Sequence, residues 1–356
     1  MINKMITERP VRLLYLPNET KIGEFLGVRT VFETMLKTGE LGGYETFSFL
    51  VEQKNRGSNT AALDALLSLA KHFQPDIILW QRPGVFIIPT GYGLELKSLD
   101  SQPVLVYEER DLWGGRLKPF TESMCTLASE ADILFLVGLG AFADKFRKLG
   151  AKNIFHDPNS VDTLRFGKPW TPTMKRKYDV IMIANLFKPK GFKPGLPGWK
   201  GRWHVGKRLN DLLGKRFAIY GTGWDELPSA KGNLPFLKSE EACRDSWLTV
   251  GWNYYDQTPF YFSNRLPMAL LSGVAHVTNY QPGYEIMFEN GKNLCYAHTV
   301  GEMVDIVTHL LSLPRDRIIE IGLEGQEYAK NNLSHEIGFK NIIRISSEFF
   351  SDTRSK

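Results

Sequence analysis

Cysteine is scarce in this chain and histidine is thinly spread. Cys125, Cys243 and Cys295 stand far apart, and the seven histidines show no metal-ligand spacing. A disulfide framework and a Cys-ligated metal site are therefore excluded as organising features. No Asp-x-Asp occurs to hold a divalent ion on a diphosphate, so no metal site is expected. Long apolar runs are missing too. The stretch 131–143 (ADILFLVGLGAFA) is interrupted by Asp132 and by glycines, and falls short of the roughly 20 residues a membrane helix needs. The N-terminal residues MINKMITERPVRLL lack the apolar core of a secretory signal. No short repeat or low-complexity segment is present. A cytoplasmic protein is the expectation.

What remains is a globular composition, 43% hydrophobic and 23% charged, in a chain of 356 residues with room for two domains. The net charge of +5 is mild, but residues 188–216 carry nine Lys and Arg against one acid, Asp211. Such a block suits phosphates, whether of a nucleotide, a membrane surface or nucleic acid, or is simply a solvated face.

Short apolar runs alternate with helical periods almost throughout. Strands are expected at 11–18, 45–52, 76–83, 103–111 and 131–138, with helices between them at 26–37 and 60–73. Continuous apolar runs separated by helices mark a parallel sheet covered on both faces. After Asp162 comes a polar, proline-bearing stretch, and then the pattern restarts. Strands are expected at 178–185, 217–224, 248–254, 274–279 and 294–296, and helices at 202–213, 300–313, 315–331 and 335–350. Two doubly wound α/β domains follow.

Ligands of such sheets bind beyond the carboxyl ends of the strands. FAIYGTGW (residues 217–224) places Gly221 and Gly223 at such an end, where glycine permits close backbone approach. VYEERDLWGGR (106–116) ends an apolar strand in Glu108, Glu109 and Asp111. A carboxylate there can take a proton from an acceptor hydroxyl. Alternatively, these acids cap the following helix or pair with Arg110 and Arg116.

The order HDPNSVD (156–162), YDVIMIAN (178–185), IYGTGW (219–224), NRLPMALLSG (264–273) and FENGKNLCY (288–296), then a His-bearing last helix, resembles the spore-maturation-type (CgeB-like) GT-B glycosyltransferases. It is more distantly similar to phage DNA β-glucosyltransferase. The match runs from about Lys152 to the C-terminus, while the first half agrees only in strand order. The resemblance implies the GT-B layout, two Rossmann-like domains facing a cleft, with the C-terminal helix returning to the first. The expected division is an acceptor domain over 1–165, a linker over 166–177, a nucleotide-sugar donor domain over 178–334 and a crossing helix over 335–356.

Carried onto this sequence, the resemblance implies that Asn264 and Arg265 bind the donor, with Arg265 on its diphosphate. Arg208 matches another phosphate position, with Lys188, Lys190 and Lys207 as neighbours. Phe236 and Leu237, in GNLPFL (232–237), lie in the segment that reads the nucleobase. Gly221, Gly223 and Glu285 complete the donor set. Register with the phage enzyme points to Glu109 or Asp111 as catalytic base. One position departs from the pattern: where a glutamate would accept hydrogen bonds from the ribose, the register gives Met268, and Phe260 occupies the place of a second glutamate.

The implied activity is metal-independent transfer of a sugar from a UDP-linked or other nucleotide donor to an acceptor hydroxyl, the stereochemical outcome left open. No tightly bound cofactor is expected; the nucleotide sugar is a co-substrate. The acceptor is a saccharide, a protein or a small molecule. The alternative is a hydroxylated base in double-stranded DNA, suggested by residues 191–208, where Trp199 and Trp203 interleave with Lys and Arg. Gly23, Trp113, Trp199 and Trp203 are the candidate acceptor contacts. Met268 motivates a reading of another class, a non-catalytic nucleotide-sugar-binding protein.

Overall fold

The computed structural model describes residues 9–172, 175–189, 191 and 194–354. The chain forms two compact units. The first comprises Met1–Val137, Ala141–Asp157 and Gly338–Lys356, and the second Gly138–Gly140 and Pro158–Ile337.

The first unit holds a six-stranded, all-parallel sheet: β1 (Arg12–Leu16), β2 (Gly43–Thr46), β3 (Ile77–Gln81), β4 (Val104–Glu109), β5 (Ile133–Leu136) and β6 (Asn153–His156), in the order β2-β1-β3-β4-β5-β6. β3, β4 and β5 are buried along their whole length, whereas the edge strands β2 and β6 are half-exposed. Continuous burial of both faces is why the central strands read as unbroken apolar runs.

The expected strand at 45–52 is not one. β2 stops at Thr46, and Phe49–Arg56 is a helix that ends at Gly57 in the left-handed conformation, with Arg56 paired to Glu52 one turn back. Phe47 is buried from the connecting segment and Phe49 from a helix start, so an aromatic-rich stretch imitated a strand. The last helix, His335–Arg354, contributes Phe339, Ile342, Ile343 and Phe350 to this unit's core. Phe339 meets Phe32 edge-to-face at 5.6 Å.

The second unit holds five parallel strands, β7 (Tyr178–Ile183), β8 (Phe217–Tyr220), β9 (Ser246–Val250), β10 (Ala275–Asn279) and β11 (Cys295–Ala297), in the order β11-β10-β9-β7-β8. β9 ends earlier than the sequence suggests, because the chain turns off the sheet at Gly251. The helix expected from Arg202 begins at Trp199, after Gly198 at φ +72°. Its face formed by Arg202, Val205, Gly206, Leu209 and Leu213 is buried, and the three apolar side chains join the strands in the main core. Among the described residues no helix is long and apolar enough to cross a membrane.

Candidate functional site

In each sheet the order of strand addition reverses once. β7 is flanked by β8 on one side and β9 on the other, so the connections leaving β7 and β9 run in opposite directions and leave a crevice at the carboxyl ends of the strands. Two adjoining pockets lie there in the second unit. One is lined by the ends of β7 and β8, by Phe236 and by Asn264, and opens to solvent. The other lies by β7, β9 and β10 and is lined by Arg202, Asn253 and His276. Arg265 and Met268 line both.

Arg265 opens the helix Arg265–Leu271, in which Pro267 sits in the first turn, where a missing N–H costs nothing. Leu266, Leu270 and Leu271 are buried in an apolar cluster with Phe262 and Tyr284, which holds the helix against the sheet. No carboxylate pairs with Arg265 among the described residues. Burial holds its guanidinium below the usual arginine value, while Tyr261 and Tyr254 oppose that shift. A largely buried cation without a counter-ion is costly unless an anion arrives to pair with it.

Arg202, which sequence reasoning missed, is a second such cation. It is 3% exposed. Its Nε donates to Trp252 O at 2.8 Å, its Nη2 donates to the same carbonyl, and its Nη1 donates to Asn185 O at 2.7 Å. It also stacks 3.5 Å from the Tyr254 ring centroid. Arg202 thus ties together the loops leaving β7 and β9, and burial pushes its pKa down to about 10. His276 adds no charge, since burial pushes it down to about 4.

The other basic candidates are placed elsewhere. Arg208 is exposed on a different face of the helix from Arg202 and lines neither pocket, and Lys207 pairs with Asp211 at 2.7 Å. The apolar period Val205, Leu209 and Leu213 is the signal that would have selected Arg202 over Arg208. Lys188 pairs with Glu226 and lies 3.4 Å from the Trp203 ring centroid. Lys190 lies outside the described residues. Among the described residues, no group of three His, Cys, Asp or Glu is placed to hold a metal ion.

Gly221 lines the first pocket, but backbone crowding explains both glycines of the turn. A Cβ on Gly221 would lie 2.3 Å from Ala184 O, and one on Gly223 would lie 2.2 Å from Leu186 O. The loops after β7 and β8 run side by side through Leu186 N–H to Thr222 O at 2.8 Å and Thr222 N–H to Asn185 Oδ1 at 3.0 Å. Phe236 packs edge-on to Phe166 and faces the pocket half-exposed; Leu237, also exposed, does not line it. Asn264 is at the pocket rim as the helix N-cap residue, without a side-chain capping bond.

Met268 is buried in the pocket wall. Glu285 is exposed and lines neither pocket. It accepts a bond from Tyr280 Oη at 2.8 Å, and hydrogen bonds from its own backbone N–H and from Tyr280 hold its carboxyl below the usual range. The aromatic candidates in the basic block are largely committed to packing. Trp203 stacks on Trp224 at 6.2 Å and packs on the main core, and Trp199 is half-buried in the first turn of its helix.

In the first unit, Glu109 ends β4 and is 2% exposed. Its Oε2 accepts from Tyr107 Oη at 2.8 Å and its Oε1 from Asp111 N–H at 2.9 Å. Asp111 is half-exposed, 3.5 Å from Lys118 Nζ. Neither acid caps the next helix, which Thr121 caps, and it is Glu108 and Asp157, not Glu109, that pair with Arg110. Trp113 lies under Lys118 Nζ at 4.8 Å, and Gly23, at φ +91°, donates its N–H to Glu19.

Burial pushes Glu109 up from 4.5 to about 7, against the opposing charge of Arg82 and the two hydrogen bonds. A carboxyl raised in the folded state stabilises the fold when protonated. That contribution is fully present below the unfolded pKa and is lost as pH rises through about 7. The shift corresponds to about 3 kcal/mol. Urea midpoints should therefore fall between pH 5 and pH 8, and in Glu109→Gln this component of the fall should vanish. An equally steep fall in the variant would assign the pH dependence to other groups.

Residues 202–337 match a family model described as glycosyl transferase-like. No curated protein sequence matches the chain significantly. Solved structures match nearly its whole length. Anabaena Alr3699/HepE in complex with UDP and glucose aligns at a TM-score of 0.57 and 13% identity, over 95% of this chain and 100% of that one. A glycosyltransferase from Rickettsia africae ESF-5 aligns at 0.60 and 12%, over 94% and 97%. Sucrose-phosphate synthase from Thermosynechococcus elongatus aligns at 0.58 and 10%, over 97% and 100%. The fold is therefore that of the GT-B glycosyltransferases, with two doubly wound parallel sheets.

Proposed function

We propose that this chain is a glycosyltransferase that takes its sugar from a nucleotide diphosphate donor. The observation that carries the reading is a pair of guanidiniums without carboxylate partners, the buried Arg202 and the half-buried Arg265, at the reversal point of the second sheet. Both arginines lie inside the segment matched by the glycosyl transferase-like model. Arg265 presents the charge to the diphosphate, and Arg202 fixes the two loops that frame it. A planar guanidinium pairs bidentately with phosphate oxygens and stabilises the charge left on the departing diphosphate. In this reading the two arginines supply the charge that a divalent ion supplies elsewhere.

UDP is the proposed nucleotide, because a protein of this fold has been solved with UDP-glucose. Its base lies against Phe236. Met268 leaves no carboxylate at that pocket wall for the ribose, so affinity rests on the diphosphate and the base. For proton removal from the acceptor hydroxyl we assign Asp111, which is half-exposed. Glu109, with both oxygens engaged, holds the Asp111 backbone in place.

The test is a panel of nucleotide sugars, following thermal stability and nucleotide release together. One donor family should raise the melting temperature and be slowly hydrolysed. Stabilisation without any turnover, across a broad acceptor panel, would instead favour a binding protein. No shift with any donor would remove the proposal.

A further inference from the structure

The first unit has its own reversal point, and a cation stands at it that the donor reading does not use. β1 pairs with β2 on one side and β3 on the other, with Leu16 opposite Trp80. The loops leaving β1 and β3 therefore part here, where ligands of doubly wound sheets bind. Arg82 directly follows β3.

Its backbone has a φ of +32°, a conformation that residues bearing side chains rarely adopt. Both main-chain groups are pinned. Its N–H donates to Glu108 O at 2.9 Å, and its carbonyl accepts from Asn18 Nδ2 at 2.5 Å. Neighbours on β4 and on the loop after β1 thus hold a strained residue in place, a pattern that concentrates at ligand sites.

The side chain is short of partners. Arg82 Nε is buried without a hydrogen bond, and among the described residues no carboxylate forms an ion pair with the guanidinium. The nearby acids have hydrogen-bond partners of their own, and the charge of Arg82 acts on Glu109 only from beyond ion-pair distance. Glu19 is held by Arg29 and by Ser48 Oγ, and Glu109 by Tyr107 and the Asp111 N–H. The guanidinium lies 5.9 Å from the Phe25 ring centroid. The loop that follows is open to solvent, with Val85 84% exposed.

We propose that Arg82 binds an acidic group, phosphate or carboxylate, on the molecule that receives the sugar. The proposal rests on the transferase reading and adds the chemical class of the acceptor. A guanidinium fork fits either anion, and desolvation of Nε makes the pairing stronger than at an open surface.

The experiment compares glucose, glucose 6-phosphate and glucuronic acid, using the full chain and the variants Arg82→Gln and Arg82→Lys. UDP binding is measured first by calorimetric titration, and the variants should match the parent, because Arg82 lines neither donor pocket. Release of UDP from UDP-glucose is then followed with each sugar. At least one acidic sugar should raise the rate tenfold or more over glucose, Arg82→Gln should lose that preference and Arg82→Lys should keep part of it. Which acid acts separates phosphate from carboxylate.

Equal stimulation by neutral and acidic sugars, or an undiminished preference in Arg82→Gln, would overturn the proposal. Absence of UDP binding in the parent would instead sink the choice of UDP as the donor nucleotide. Arg82 is then judged without donor, by whether glucose 6-phosphate or glucuronic acid raises the melting temperature more than glucose does. A shift lost in Arg82→Gln supports the anion site, and no shift from either acid removes it. If Arg82→Gln does not fold, Arg82→Lys decides, through a weakened or an unchanged preference.

Discussion

Arg265→Ala should weaken UDP binding at least a hundredfold, equivalent to about 2.7 kcal/mol. The guanidinium lines both pockets, no acid among the described residues pairs with it, and burial already holds its pKa down. A cation so placed has its main electrostatic partner in the ligand, so its removal deletes a charge-assisted contact without stranding a protein carboxylate. Arg265→Lys should recover part of the loss, since it keeps the charge and loses the fork. Calorimetric titration with UDP reads both variants, and a thermal melt verifies that each is folded. A loss of less than threefold in Arg265→Ala would place the diphosphate elsewhere.

Gly221→Ala should destabilise the second unit by about 3 kcal/mol or more, from overpacking and backbone strain together. The added Cβ would meet Ala184 O at 2.3 Å and Ala184 C at 2.7 Å, both of them backbone atoms, at a φ of +130°. Gly232→Ala is the control. Its φ is +74°, but the added carbon meets nothing within 4 Å, so only the conformational cost of about 1 kcal/mol applies. Urea titrations of the two variants separate crowding from conformation. Equal losses would mean that the loops after β7 and β8 move apart without cost, and the crowding argument would fail.

Much of this architecture can be read from the residues, because fully buried parallel strands leave an unambiguous trace. The runs at 76–83, 103–111, 131–138 and 178–185 each contain a strand. The misread segment, 45–52, lies at a sheet edge, where half-exposed residues carry little period and Phe47 and Phe49 serve a connecting segment and a helix instead. The site is less legible for a different reason. Which of Arg202 and Arg208 turns inward depends on helix phase, and which strand-end carboxylate is open depends on hydrogen bonds that form only in the fold. Arg82 could not be singled out at all. What sets it apart is a dihedral angle and an unbonded Nε, neither of which has a signature in residue type.

The contribution of Phe339, Ile342, Ile343 and Phe350 to the first unit's core has a consequence for the order of biosynthesis. A ribosome finishes every strand of the first sheet, and then the entire second sheet, before it reaches residue 339. Throughout that interval Phe32 lacks the ring it later meets edge-to-face. The unit that begins to form first is thus completed only after every strand of the second sheet has been made.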